Sequence, residues 1–423
     1  MTTHSPRPSP PVAPEDRKIR ERSRYRRLFA ACGVGWALDG FDYTMFSLAM
    51  GAILVSLNLD VADGGRIVTI SLMASALGGI IGGVLADRYD RVKLLTWVMI
   101  GFSVFTGLTA LAQNYEQLLL FRSLEGFFFG SEWAIGASMM AEAARPERRG
   151  RTMSMLQSLY HVGYAGSVLC YFALFSLLDP DVAWRVLFVV GTVPAAVAIV
   201  IRLKVEDPPR PATDTTEGFD RAKLLELFRG RIARRTVPLL VLQCAGQMYY
   251  YAVVSFFPLY LSEERGLDIG DTSLYLWLTV LGSFAGAFVS GFVADRIGRR
   301  PTFQLYYVGV IVMSLVVVLV PVHSLALNYL VMLAVGIVFA GTGGLLGSFF
   351  SELYPTPIRA TGMSFVYNTS RAVGALGPLV VGETAAAIGI GNAMITVAVS
   401  AAVVANVALW CLPETRGKDL ADI

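Results

Sequence analysis

Apolar stretches of about 20 residues recur along the whole chain between polar turns, each long enough to cross a ~30 Å hydrocarbon core as an α-helix. The pattern gives twelve segments, near 29–57, 67–86, 94–113, 116–140, 152–177, 183–203, 236–261, 272–294, 302–321, 325–350, 360–384 and 391–412. The longest polar interval between them, 204–235, carries Pro208, Pro209, Pro211 and many charges. The pattern therefore predicts an all-α membrane protein with a basic, disordered N-terminal tail over 1–28 and six-helix bundles over 29–203 and 236–412. A cytoplasmic linker over 204–235 joins the bundles, and a short cytoplasmic tail covers 413–423. Composition fits this reading: 55% of residues are hydrophobic and 16% charged, against about 25% charged in soluble domains.

Lys and Arg set the orientation. With both termini in the cytoplasm, roughly 30 of these cations fall inside and about three (Arg66, Arg185, Arg265) outside. Arg122 and Arg371 remain within spans. A net charge of +3 gives no reason to expect nucleic-acid binding. Cys32, Cys170, Cys244 and Cys411 lie in or beside apolar runs without metal-ligand spacing, so they are expected to be reduced core residues, and neither metal nor cofactor is expected. No cleavable signal segment is expected, and no nucleotide loop or nucleophile–base set suggests an enzyme.

The two bundles repeat one another. Gly83, Asp87 and Arg88 recur as Gly291, Asp295 and Arg296; Glu142, Arg149, Met153 and Ser154 recur as Glu352, Arg359, Met363 and Ser364. Two marker sets at nearly one offset predict pseudo-symmetric halves related by an axis along the membrane normal. The turns at 83–93 and 291–300 resemble the signature loop of the major facilitator superfamily, the first departing by having Asp90 where a glycine is common. The resemblance covers about 29–420 and implies a monomeric, multi-pass carrier of the inner or plasma membrane that works by alternating access.

Charges inside spans need a reason, because each costs at least ~2.5 kcal/mol at the bilayer centre. Asp39-Gly-Phe-Asp42 puts two carboxyls on one face of the first helix, where they resist double ionisation. They are candidates for proton coupling, or for simple pairing with Arg122. The fourth span holds Arg122, Glu125 and Glu132, with Gly126 and Gly130 placed for close helix approach. At 1.5 Å per residue, Asp42, Arg122 and Glu125 lie ~20–25 Å from the cytoplasmic ends, and Asp39, His161, Gln247 and Arg371 lie ~13–17 Å up, near the midplane. The first three are expected to form one network, either a proton relay or a fixed ion pair. Arg371 is a candidate carboxylate receptor, or a donor to backbone carbonyls. His161 is a candidate proton shuttle or a hydrogen-bonded core residue. Trp36, Tyr160, Tyr164 and Tyr250 are candidate cavity walls, with packing as the alternative; Glu132 joins the candidate substrate residues.

The charged turns are candidate gates. Gly83, Asp87, Arg88, Arg91, Glu142 and Arg149 in one half face Gly291, Asp295, Arg296, Arg299, Glu352 and Arg359 in the other. Charge pairs between halves there would favour the outward-open state, unless the arginines only set topology.

Asp39-Gly-Phe-Asp42, Gly130-Ser-Glu132-Trp133 and Phe257-Pro258-Leu259-Tyr260-Leu261 resemble the aromatic-acid/proton symporter branch. The resemblance implies proton-coupled import of a small organic anion, most readily an aromatic carboxylate, with Asp39 and Asp42 as coupling groups and Arg122 and Arg371 as anion contacts. Glu206-Asp-Pro-Pro-Arg210 and Pro413-Glu414-Thr415-Arg416-Gly417 resemble sugar-porter signatures, which keeps a sugar or polyol symporter open. A drug or metabolite exporter of the same superfamily is a third reading.

Overall fold

The structure, a computed structural model, describes residues 14–143, 149–202, 221–320, 324–355 and 358–416. Its described residues are helical, without strands. The first half comprises α1 (Pro14–Ser56), α2 (Val61–Arg88), α3 (Arg91–Thr109), α4 (Tyr115–Ala143), α5 (Arg149–Leu177) and α6 (Pro180–Arg202). After the short α7 (Arg221–Glu226) come α8 (Gly230–Leu259), α9 (Ile269–Ile297), α10 (Arg299–Leu319), α11 (Leu325–Leu353), α12 (Arg359–Gly374), α13 (Leu376–Ile388) and α14 (Ile390–Trp410). Among the described residues, nine helical stretches are long and apolar enough to cross a membrane.

Three boundaries differ from those expected. α1 already begins at Pro14, because the Arg-, Lys- and Glu-rich stretch before residue 29 consists of good helix formers. The helix expected from 236 starts at Gly230 and closes in a π-helical turn, Tyr260–Glu264, just after Pro258. The segment expected over 360–384 is two helices: Pro378 has no N–H to donate and its ring crowds the carbonyl of Gly374, where α12 ends.

Within each half the same helix pairs make the closest contacts. α2 packs on α4 as α9 packs on α11, and α1 packs on α5 as α8 packs on α12 and α13. Glycine permits these approaches. A Cβ on Gly130 would stand 1.7 Å from the carbonyl oxygen of Ser75, and one on Gly336 would stand 2.0 Å from that of Thr279. Gly130→Val is therefore expected to cost more than about 3 kcal/mol, the upper end of overpacking costs, since a backbone cannot yield as a side chain does. Gly343→Ala, which meets nothing within 4 Å, should be nearly neutral in the same detergent unfolding measurement.

Several described contacts join the halves. Arg66 on α2 pairs with Glu383 on α13 at 2.7 Å. Thr69 Oγ1 donates to the Ala375 carbonyl at 2.8 Å, and Tyr43 shares a hydrogen bond of 3.0 Å with Ser255 of α8. The charged turns lie at the opposite end of α2 and α9.

Candidate functional site

α1 and α4 carry the charges that the hydrophobic pattern makes costly. Arg122, 6% exposed, is held between two carboxylates. Its Nη1 donates to Asp42 Oδ2 at 3.4 Å and pairs with Glu125 one turn along α4. The guanidinium lies over the Phe46 ring at 4.8 Å and near that of Phe188 at 5.8 Å, so its flanks are aromatic and its edge is anionic. Asp42 also accepts from Thr106 Oγ1 at 3.4 Å and acts electrostatically on Glu125. One guanidinium facing two buried carboxylates leaves one negative charge uncompensated. The arrangement is neutral when it holds one proton.

Beside this cluster is a cavity of about 30 Å³, lined by Asp42, Ser47, Ser71, Ser75, Arg122, Glu125 and Phe129 among others. Its walls are mostly apolar, with a few polar groups converging on it, and it has room for a water or two. Ser75 joins it to the second cation. Arg371 of α12, 3% exposed, donates from Nη1 to Ser75 Oγ at 3.1 Å, across the boundary between the halves. Tyr251 and Tyr367 also act electrostatically on Arg371, and its guanidinium lies 5.3 Å from the Phe129 ring centre and 5.4 Å from that of Tyr367. Asp39, buried on α1, acts electrostatically on both Arg371 and Glu125. A buried cation ringed by hydroxyls and aromatic faces can accept a planar carboxylate through its two-pronged edge.

The other expected residues are placed as follows. Tyr160 of α5 and Tyr250 of α8 lie within electrostatic reach of one another between the halves. Tyr164 is buried in the main core, and Trp36 packs with Leu28, Cys32, Leu95, Val98 and Leu156 inside the first half. His161 is buried against Tyr160, ring centres 5.8 Å apart, and its Nδ1 meets no hydrogen-bond partner among the described residues. Gln247 is buried where α8 meets Gly374 of α12, and Glu132 is buried two turns beyond Glu125. Sequence reading did not single out Ser75, Ser71 or Thr106 as site residues. Hydroxyls are common in membrane helices and satisfy themselves on their own backbone, as Ser71 does on Ile67.

Of the gating residues, the side chains of Asp87, Arg88, Arg91, Glu142 and Arg149 lie outside the described residues. Gly83 and Gly291 face open space. In the second half, Arg299 pairs with exposed Asp295 and, at 3.3 Å, with Glu352. Arg296 is exposed, and Arg359 Nε donates to the Tyr354 carbonyl at 3.1 Å. The described pairs at this end join elements of one half. The first half's share of the expected latches falls on side chains that lie outside the described residues.

Sugar-porter-like Glu414 has a structural task here. Its Oε1 accepts from the Arg299 N–H at 2.8 Å and its Oε2 from Arg300 at 3.0 Å, which caps α10. Burial pushes its carboxyl up, but the N–H groups of Arg299, Arg416, Arg300 and Thr415 outweigh burial and hold it below the ordinary value. With a depressed folded value, its contribution is complete above the unfolded value of about 4.3 and is lost as pH falls through the folded value. Glu414→Gln is expected to flatten the acid limb of a stability–pH curve, modestly, since the group is largely solvated.

Residues 33–378 match the family profile of the Major Facilitator Superfamily. The chain is 36% identical over 398 residues to a probable 4-methylmuconolactone transporter of Cupriavidus pinatubonensis, covering 94% of this chain and 92% of that protein. It is 28% identical to a cis,cis-muconate transport protein of Acinetobacter baylyi (84% and 86% covered) and 25% identical to a 3-(3-hydroxy-phenyl)propionate transporter of Escherichia coli (94% and 96%). Among solved structures it resembles the inward-open xylose transporter of E. coli (TM-score 0.76, 18% identity, 94% and 98% covered). It also resembles a bacterial homologue of the lysosomal transporter Spinster in an inward-facing conformation (0.75, 19%, 92% and 98%). These relatives are transporters, not enzymes. The chain belongs to the Major Facilitator Superfamily, as a multi-pass inner-membrane transporter similar to carriers of organic acids.

Proposed function

We propose that the protein imports a small organic anion, in the first instance an aromatic carboxylate, together with protons. The observation that carries this reading is the burial of Arg122 between Asp42 and Glu125, joined through Ser75 and a water-sized cavity to a second buried arginine, Arg371. Arg371 receives the carboxylate in place of Ser75, and Asp39, which acts on Arg371, makes the two sites electrostatically aware of each other. The arginine–carboxylate cluster holds the proton. Three named relatives carry a lactone, a dicarboxylate and an arylpropionate, small oxidised carbon skeletons of the same size class.

In this reading all twelve apolar segments cross the membrane, both termini are cytoplasmic, and the linker joins two halves that rock about the level of Arg371. The end bearing Arg66–Glu383 is then the outer one. A monoanion entering with one proton moves no net charge, so the pH gradient alone drives it at ~1.4 kcal/mol per unit. A second proton adds the potential, ~2.3 kcal/mol per 100 mV.

A thermal-shift panel on the purified protein tests the substrate class, because a ligand stabilises the state it binds. Benzoate-type acids and muconate are expected to raise the unfolding midpoint and neutral hexoses to leave it unchanged. Stabilisation by hexoses alone would instead favour the sugar-porter reading.

A further inference from the structure

We infer that the protein carries a site for the headgroup of an anionic phospholipid where α10 begins and α14 ends. An open pocket of about 520 Å³ lies there, lined by Arg300 and Gln304 of α10, Trp410 at the end of α14, and Glu414 and Arg416 just beyond it. This is the membrane face to which the cation tally assigns the cytoplasm.

The pocket has the layered chemistry of a bilayer boundary. Above it, Leu305 is 59% and Val407 63% exposed, which marks the outer faces of α10 and α14 as lipid-facing. At its rim Trp410 is 71% exposed, at the level where indole rings gather in membrane proteins. Two of its lining residues, Arg300 and Arg416, carry guanidiniums. Among the described residues neither Arg300 nor Arg416 has a carboxylate within 4.0 Å. Basic pockets between helices on the cytoplasmic side are suited to anionic headgroups.

Glu414 also lines the pocket and keeps its negative charge, but both oxygens are engaged by the backbone N–H groups of Arg299, Arg300, Thr415 and Arg416, and the two arginines outnumber it. The preceding turn is shaped for this docking. Gly298 has φ 106°, and a Cβ there would stand 2.8 Å from Glu414 Oε2. The carboxylate is thereby turned onto the start of α10, and the two guanidiniums remain to meet a phosphodiester, with acyl chains along Leu305 and Val407. The site needs no assumption about cargo.

The test uses the full-length protein in nanodiscs of phosphatidylcholine with or without phosphatidylglycerol, read by native mass spectrometry and by unfolding midpoint. The wild type is expected to retain phosphatidylglycerol over phosphatidylcholine and to be stabilised by it. Arg300→Gln/Arg416→Gln should weaken retention about thirty-fold, each arginine near the surface contributing about five-fold; each single variant should show its own share. Equal retention of both lipids by the wild type, which needs no variant to fold, overturns the proposal, as does undiminished retention by a folded double variant. Inorganic phosphate is the second arm. If it protects the protein in pure phosphatidylcholine as well as the lipid does, the pocket binds free phosphate and the lipid assignment fails.

Discussion

Arg122→Ala is expected to abolish proton-driven accumulation and to destabilise the protein by about 3–5 kcal/mol, the cost of removing one partner from a buried ion pair. The size follows from what stays behind. Asp42 and Glu125 are each no more than 3% exposed, and Arg122 is the cation between them. Without it the two carboxyls must each take up a proton to remain buried, so the cluster can no longer change its charge during a cycle. Arg122→Ala combined with Asp42→Asn should fold better than the single variant while transporting no better. That separation of stability from transport, read by detergent unfolding and by uptake in proteoliposomes, distinguishes a working cluster from a fixed ion pair.

Arg371→Gln is expected to weaken binding of an aromatic carboxylate by about 2–5 kcal/mol, the range for losing one member of a buried charge pair, or roughly thirty- to several-thousand-fold in Kd. Arg371→Lys should recover only part of this, because an ammonium cannot present two parallel N–H groups to a carboxylate. Ser75→Ala removes a competitor for the Arg371 Nη1, so it is expected to leave binding intact or slightly tighter while loosening the contact between the halves. Calorimetric titration with benzoate-type acids measures all three. Unchanged affinity in Arg371→Gln would place the anion elsewhere.

Much of this was legible because the bilayer makes charge conspicuous. Asp42, Arg122 and Glu125 stand out in apolar runs, and a rise of 1.5 Å per residue puts them at one depth; the fold brings them into contact. Asp39 and Arg371, again at one depth, lie within electrostatic reach across the two halves. The repeat of the charged turns pointed to paired halves, and the matching α2–α4 and α9–α11 contacts fit that.

What connects the charges was not legible. Ser75 looks like any small residue of a helix stripe, and only tertiary packing turns it toward Arg371. Tyr251 is one of three consecutive tyrosines, Tyr249 to Tyr251, whose rings point in different directions; the sequence does not say that Tyr250 reaches Tyr160 while Tyr251 reaches Arg371. Trp36 and Tyr164 share the depth of the site but pack within the protein's interior, since depth fixes height and leaves azimuth open. The break between α12 and α13 had a readable signal in Pro378 and its glycines, hidden inside an apolar run long enough to pass for one helix.

Proton movement is the most direct test of the central claim that the Asp42–Arg122–Glu125 cluster takes up a proton as cargo enters. Proteoliposomes in lightly buffered medium, given an aromatic carboxylate, should alkalinise the outside with the wild type and not with Asp42→Asn, while Asp42→Asn still exchanges labelled for unlabelled substrate. Uptake without alkalinisation in the wild type, or alkalinisation that survives Asp42→Asn, would contradict it.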